Sequence, residues 1–390
     1  MFKKKAIVLL SSLFVMLSLA SCYNQYGFVV TLEQLEQEAK EFGGGVNAIS
    51  AGTNRSFAIT ADGGLWAWGY NSYYQLGDGT SVHRTRPTRI MDDVIAVSSS
   101  SFHGGTTAIT SDGGLWTWGM IPIERLADGT VMDTLQRTDV PVRAMNDIIY
   151  VSAGAGHIMA INTDGELWTW GANANGRLGD GTTTHQYIPI HIMNDVVAVS
   201  AGGSHSMAIM ANGELWGWGG NRYGQLGDGT TINQYLPIHI KDNIVAVSTG
   251  QAHTIAITVD GELWAWGLNR AGQLGDGTTI NHYRPIKILD DVIDISVGNL
   301  HSAAITSDGI LWMWGIDSRG QLGRGDSDDV SELQLDPVGI MENIVSVSVG
   351  HSHTMAITAN GELWAWGSNF EGTLGDGTIS LLRDRPVRVK

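Results

Sequence analysis

The signature Trp-x-Trp-Gly occurs seven times, at Trp66/Trp68, Trp116/Trp118, Trp168/Trp170, Trp216/Trp218, Trp264/Trp266, Trp312/Trp314 and Trp364/Trp366. These copies hold all 14 Trp of the 390-residue chain, at intervals of 50, 52, 48, 48, 48 and 52 residues. A fixed period of that length marks a repeat architecture, in which each unit buries its faces against its neighbours.

Each repeat carries four strand-like pieces. They are a Pro-x-x-Ile type (Arg284 to Ile288), a Val-Ile-x-Val-Ser type (Asp291 to Val297), a His-x-x-Ala-Ile-Thr type (His353 to Thr358) and a Glu-Leu-Trp-x-Trp-Gly type (Glu262 to Gly267). All are short, rich in β-branched or aromatic residues, and bounded by turn residues. Asp164-Gly165, Asn212-Gly213, Asp260-Gly261 and Asn360-Gly361 precede the Trp strand, so the His and Trp strands form a tight hairpin, predicted as type I′. Two or three residues, such as Asp92-Asp93, join the Pro strand to the Val-Ser strand and predict a second hairpin. The connection after the Trp strand is long: 17 residues lie between Gly171 and Pro189, and 21 between Gly315 and Pro337. That segment is expected to return from the outside of one blade to the axis.

The expected fold is therefore all-β: a seven-bladed β-propeller of four-stranded antiparallel blades over residues 46–390. The expected strand order is Pro, Val-Ser, His, Trp from inside to outside. Because the first repeat begins with its Val-Ser strand at Val46, the C-terminal strand Pro386 to Val389 is expected to complete the first blade and leave no free edge.

The repeat resembles that of the regulator of chromosome condensation family of propellers. The resemblance rests on stretches such as Trp216-Gly217-Trp218-Gly219-Gly220-Asn221, Gly224-Gln225-Leu226-Gly227-Asp228-Gly229, Pro237, and Ser248 to Ile257, and it covers residues 46 to 390. It implies a seven-bladed propeller. The family's founding member is a nuclear guanine-nucleotide exchange factor that binds chromatin. Other, secreted bacterial relatives resemble protein inhibitors of β-lactamases. Shared fold does not carry function across.

The N-terminus argues for a different setting. Lys3, Lys4 and Lys5 precede an apolar stretch from Ala6 to Leu19, followed by Leu19-Ala20-Ser21-Cys22. A basic start, a short apolar core and small residues describe a secretory signal, and the apolar run is short for a membrane-spanning helix. The last four residues resemble a bacterial lipobox, which implies lipidation at Cys22, the only Cys, and an extracytoplasmic protein held on a membrane without spanning it. Residues 1–22 are then a lipoprotein signal and 23–45 a tether. Within it Thr31 to Phe42 reads as a short helix with an apolar stripe of Leu32, Leu35, Ala39 and Phe42, expected to dock on the propeller.

The formal charge is −16, and the first 22 residues hold three Lys and no acid, which leaves −16 − 3 = −19 beyond them. An acidic surface repels phosphate backbones, so nucleic acid is not an expected partner.

Candidate sites fall into two groups. His103, His157, His205, His253, His301 and His353 recur at one position, with Arg55 there in the first repeat. Successive blades aim them at different neighbours, so they predict a repeated structural hydrogen bond rather than a metal, which needs several ligands converging on one ion. The Leu-Gly-Asp-Gly-Thr segments offer one acid each and read as turns, not calcium loops. No nucleophile elbow, metal-ligand pair or phosphate loop occurs, so no catalytic residue, cofactor or metal is assigned.

The departures from symmetry are more informative. The second repeat replaces the usual Asn-x-x-Gly-Gln with Ile121 to Arg125, and Ala127 stands for a Gly. The sixth carries Arg324-Gly325-Asp326, read as a solvated loop. Antiparallel strands place the long connections and the Ser-x-Gly-x-x-His turns on one face, where Tyr73, Tyr74, Arg222, Tyr223, Arg270, Arg319 and Phe370 form a candidate partner-binding set. The expected function is that of a monomeric, extracytoplasmic binding or scaffold protein, lipid-anchored to the cell membrane, whose partner is a protein or a cell-envelope glycan. The alternatives are an inhibitor of a secreted enzyme, a propeller lyase or hydrolase with its site over the axis, and, by family resemblance only, exchange-factor activity.

Overall fold

A computed structural model describes residue 42 and residues 45–100, 104–120, 126–127, 137–325 and 333–390. Cys22, His103, Ile121 to Arg125, Asp326 and nearly all of the expected helix before Phe42 lie outside the described residues. What is described is seven four-stranded antiparallel sheets, each made of four strands consecutive in the chain. The all-β, seven-bladed expectation is met.

The phase of the blades is not the expected one. Blade 1 runs Val46–Ala51, Arg55–Thr60, Leu65–Gly69, Arg84–Met91, and blade 7 runs Ile344–Val349, His353–Thr358, Leu363–Asn369, Ser380–Arg388. The Val-Ser strand is innermost, since these strands touch one another from blade to blade around the axis. The Pro strand is outermost, hydrogen-bonded to the Trp strand across the long loop. Its Pro has no N–H for a ladder and is tolerated at a sheet edge. The C-terminal strand Ser380–Arg388 therefore belongs to blade 7, where it pairs with Leu363–Asn369, and does not close the first blade.

The short segments read as hairpins between the Pro and Val-Ser strands are instead the links between blades. Their second residue is Asp or Asn in the left-handed region, from Asp195 at φ 57 to Asn243 at φ 60. Those side chains tolerate that conformation best after Gly. Each link is bonded to the Asp-Gly hairpins of both blades it joins: the Val94 N–H donates to the Gly63 carbonyl of blade 1 at 2.9 Å, and the Ser111 N–H of blade 2 donates to the Asp93 carbonyl at 2.9 Å. The ring closes by the same bonds without the covalent link. The Val46 N–H donates to the Gly361 carbonyl at 3.2 Å and the Ala61 N–H to the Gly45 carbonyl at 2.9 Å.

The His–Trp hairpins form, but not through type I′ turns. Gly63 N–H donates to the Thr60 carbonyl and Thr60 N–H to the Gly64 carbonyl, and only the Gly has positive φ. This is a three-residue loop, a type I turn followed by a left-handed Gly.

The core lies between blades. The second Trp of each repeat is 0–1% exposed and packs among the apolar residues of adjoining blades, as Trp118 does with Phe57, Ile59 and Leu76. Each such ring removes roughly 4–6 kcal/mol worth of apolar surface from water. Phe42 packs edge-on to Trp66 and Trp68, with centroids at 5.5 and 5.8 Å.

Candidate functional site: the long-loop face and the axis

Five of the seven long loops are each organised by one Asn. In blade 4 the Asn221 Nδ2 donates to Asp228 Oδ1 at 2.9 Å and the Leu226 N–H donates to Asn221 Oδ1 at 3.0 Å. Asp228 Oδ1 also accepts from the Thr230 N–H at 2.8 Å. The same bonds recur around Asn71, Asn173, Asn269 and Asn369. The acid of Leu-Gly-Asp-Gly-Thr is thus spent inside its turn. Blade 6 substitutes Asp317, whose carboxylate takes the Leu322 N–H and the Arg324 guanidinium, both within 2.9 Å. Arg324 is thereby held in the loop rather than presented with its Gly325.

Against this rigid frame the candidate partner-binding residues divide. Arg222, Arg270, Arg319 and Phe370 are exposed, whereas Tyr73, Tyr74 and Tyr223 are half-buried. The Arg319 guanidinium lies 5.2 Å from the Phe370 ring, joining the loops of blades 6 and 7, and Arg222 lies 5.6 Å from Tyr223. In blade 1 the Tyr73 ring lies 4.6 Å from Arg137 of blade 2, Tyr73 meets Tyr70 edge-on, and Tyr70 stacks on His83. Tyr74 has φ 63, where Gly176, Gly224, Gly272, Gly320 and Gly372 have φ 69–76. A bulky residue in that region is a genuine outlier.

Among the described residues, the five recurrent His are fully or almost fully buried. His157, His205, His253, His301 and His353 each place Nε2 at 2.9–3.3 Å from the hydroxyl of Ser206, Thr254, Ser302, Thr354 and Ser56, respectively, in the next blade. That hydroxyl donates to a loop carbonyl, as Ser206 does to Arg177 at 2.7 Å. It must therefore accept from the ring, so Nε2 carries the proton. Burial holds His205, His253, His301 and His353 at a pKa of about 3, and pushes His157 well below the usual value. All five are neutral donors. Arg55, at the same place in blade 1, donates instead to the Ser100 carbonyl at 2.9 Å.

Two further features were not read from the sequence. Ser50, Ser98, Ser152, Ser200, Ser248, Ser296 and Ser348 each accept from a main-chain N–H of the next blade at 2.9–3.2 Å, a complete ring about the axis. The signal was present as the invariant Ser of the Val-Ser strand. Above this ring the axis opens on the long-loop face as a cavity of about 140 Å³, lined at its mouth by Thr53, Gln251, Asn299 and His351. The second is Asp294, the only buried carboxylate among the described residues at 8% exposure, on the innermost strand of blade 6. It accepts from the Ile295 N–H at 2.9 Å and also from the Val347 N–H. Burial raises its pKa to about 7, and its charge helps to raise that of Tyr150 in blade 3. A single Asp in a register row otherwise made of four Ala, Tyr150 and Ser346 was the visible signal.

With that geometry in place, comparison with known proteins decides the family. The RCC1-like domain description matches residues 93–390, and the regulator of chromosome condensation (RCC1) repeat matches residues 62–105 and 46–75. The chain belongs to the RCC1-like propeller family.

RCC1-like relatives include the ultraviolet-B receptor UVR8 of Arabidopsis thaliana, 33% identical over 146 residues, covering 36% of this chain and 32% of that protein. The E3 ubiquitin-protein ligase HERC2 of Mus musculus is 29% identical over 158 residues, 37% of this chain and 3% of that protein. The chain thus matches a third or less of these relatives' length. Among solved structures, human WBSCR16 superimposes with a TM-score of 0.73 at 21% identity, covering 84% of this chain and 94% of that one. Yeast RCC1 (Prp20) bound to Kap60 gives 0.71 at 20% identity, covering 83% of each. At those identities the likeness establishes the fold, and the RCC1-like propeller is a fold that suits a protein-binding scaffold.

Proposed function

We propose that this RCC1-like propeller is a binding scaffold that engages a protein partner through the rim of its long-loop face, in an extracytoplasmic setting and held to a membrane by lipid at Cys22. One observation carries the reading. The loop frame repeats from blade to blade, yet the side chains it holds outward differ, and on blades 4 to 7 they are Arg222, Arg270, Arg319 and Phe370, all exposed. Exposed Arg and aromatic side chains on a preorganised frame are the usual anchors of protein interfaces. The buried polar groups of the face are spent on the fold, which leaves these as the adjustable part.

One solved relative, Prp20 (yeast RCC1), is described in two structures by the proteins it binds, Kap60 in one and Gsp1p and histones in the other. A formal charge of −16 does not favour nucleic acid as a partner here. The basic, apolar and small residues up to Cys22 support export and lipidation. Inhibition of a secreted enzyme is one form such binding could take.

The test is affinity capture from cell envelope and culture medium with the chain immobilised, beside a variant carrying Arg222→Ala, Arg319→Ala and Phe370→Ala. A protein retained by the natural chain and lost by the variant supports the rim. Capture that is indifferent to all three changes removes it. Lipidation is tested separately, by mass spectrometry of the chain from its host, with Cys22→Ser expected to release it from membranes.

A further inference from the structure

The short-turn face carries a second repeated device, at the outer edge of four blades. In blade 1 the Arg89 guanidinium sits between Asp62 at 2.8 Å and Asp92 at 2.7 Å. In blade 5 the Lys287 ammonium sits between Glu262 at 2.8 Å and Asp290 at 2.6 Å. Blade 2 pairs Arg143 with Asp112 at 3.0 Å, and blade 7 pairs Arg388 with Glu362 at 2.9 Å. The acids come from the His–Trp hairpin and, in blades 1 and 5, from the inter-blade link. The cation comes from the outer strand. Four blades therefore seat a permanent positive charge at one place in the fold.

Blade 4 keeps both acids and loses the permanent charge. Glu214 and Asp242 occupy the two acidic positions, and His239 occupies the cation's. His239 Nε2 lies 2.9 Å from Asp242 Oδ1, and one ligand atom from each of the three residues falls within 4.8 Å of the others. Glu214 Oε2 accepts from Trp216 Nε1 at 3.1 Å, and the Trp216 ring meets the imidazole edge-on at 5.9 Å, so both ligating groups are oriented by one indole. The nearby Lys241 lies 4.2 Å over the Trp264 ring of blade 5, away from this cluster. Blade 3 makes the contrast. It also has a His, but Asn194 replaces the acid at 2.8 Å from His191 Nε2, and its Glu166 is taken by the Asn162 amide at 2.8 Å. Three blades lack the fixed cation: blade 6 has Gly339 at its place and so no ligand there, blade 3 also removes an acid, and blade 4 alone keeps both acids beside an imidazole.

We propose that Glu214, His239 and Asp242 bind a divalent ion of the Zn²⁺ type, which supplies the positive charge that Arg89 and Lys287 supply elsewhere. The donor set is one imidazole nitrogen and two carboxylates, a combination that suits Zn²⁺ with solvent in the remaining position. The ring must bind in its neutral form, so protons compete with the metal.

The test is calorimetric titration of the tag-free full chain with ZnCl₂ near neutral pH. One Zn²⁺ per chain is expected. His239→Arg installs the guanidinium of blades 1 and 2 and should abolish that binding with the circular dichroism spectrum and melting temperature retained. Asp242→Asn copies blade 3. Changes merely to outer-shell partners cost about 10–100-fold in affinity, so this loss of a ligand should cost at least as much. His191→Arg, one blade away, should change nothing. Absence of saturable one-site binding in the natural chain overturns the proposal, and so does one-site binding that survives His239→Arg.

Discussion

The Arg177 carbonyl accepts two bonds at once, from Ser206 at 2.7 Å and from the indole of Trp218 at 2.9 Å, and Ser206 in turn accepts from His157. The equivalent Gln225 carbonyl takes Thr254 and Trp266. At this scale the propeller is held by buried relays of this kind at five of the blade boundaries, and every member is needed by the next. Thr254→Val keeps the shape and removes the hydroxyl, leaving the Nε2–H of His205 without an acceptor. The expected cost is about 1–3 kcal/mol, the usual penalty for a buried polar group left unpaired, read from the denaturant midpoint. Gly224→Ala tests the loop frame. Its φ is 76, and an added Cβ would lie 2.8 Å from the Tyr283 Cα in the next blade. Strain and overlap together should cost about 2–4 kcal/mol, whereas Tyr74 already bears that strain in blade 1.

Strand existence and the His–Trp hairpin were legible in the sequence because period, β-branched content and Asp-Gly spacing all agree. The order of strands within a blade was not. A Pro strand fits either edge of a sheet, and a two-residue segment such as Asp92-Asp93 reads as a hairpin just as well as a link. What settles it is a bond invisible in sequence, the Val94 N–H to the Gly63 carbonyl, which ties the link to the hairpin of the blade it leaves. The long-loop residues were found from broken symmetry, but their division into exposed Arg222, Arg270, Arg319 and Phe370 and packed Tyr73, Tyr74 and Tyr223 depends on neighbouring loops. The Ser ring and Asp294 escaped because the innermost strand was assigned to the wrong place. The corrected phase makes a prediction about elements. Lys390 occupies the register of Met91, so joining it directly to Gly44 leaves Gly44-Gly45 as a two-residue link of the ordinary kind. A circular permutant so joined, and opened at another link, should fold with an unchanged circular dichroism spectrum and a raised melting temperature, because a non-covalent closure becomes covalent. An unfolded permutant would contradict the assigned phase.

Across the whole molecule, buried titratable groups set how stability depends on pH. Four His have folded pKa values of about 3 against an unfolded value near 6.5. Between those limits the unfolded chain binds more protons, so stability is fully present above pH 6.5 and falls as pH drops, by about 1.4 kcal/mol per pH unit for each ring. Asp294 acts oppositely. Its folded pKa of about 7 lies above its ordinary 3.8, so its protonated form is favoured on folding and stability is lost as pH rises between those values. The His outnumber it, and thermal melts from pH 7 to pH 4 should show a steep net loss. Asp294→Asn removes the charge and keeps an acceptor for the Ile295 N–H, and should raise stability at pH 8 by up to about 4 kcal/mol with little effect near pH 4. The two faces of the ring differ in kind: acid–cation pairs edge one, while the other presents Arg and aromatic side chains around an axial cavity. The central claim is that the second face meets the partner. Hydrogen–deuterium exchange of the chain with its captured protein, against the chain alone, tests it most directly. The account predicts protection in the long loops around Arg222, Arg270, Arg319 and Phe370, with the Asp-Gly turns unchanged. Protection confined to the Asp-Gly turns and inter-blade links would contradict it.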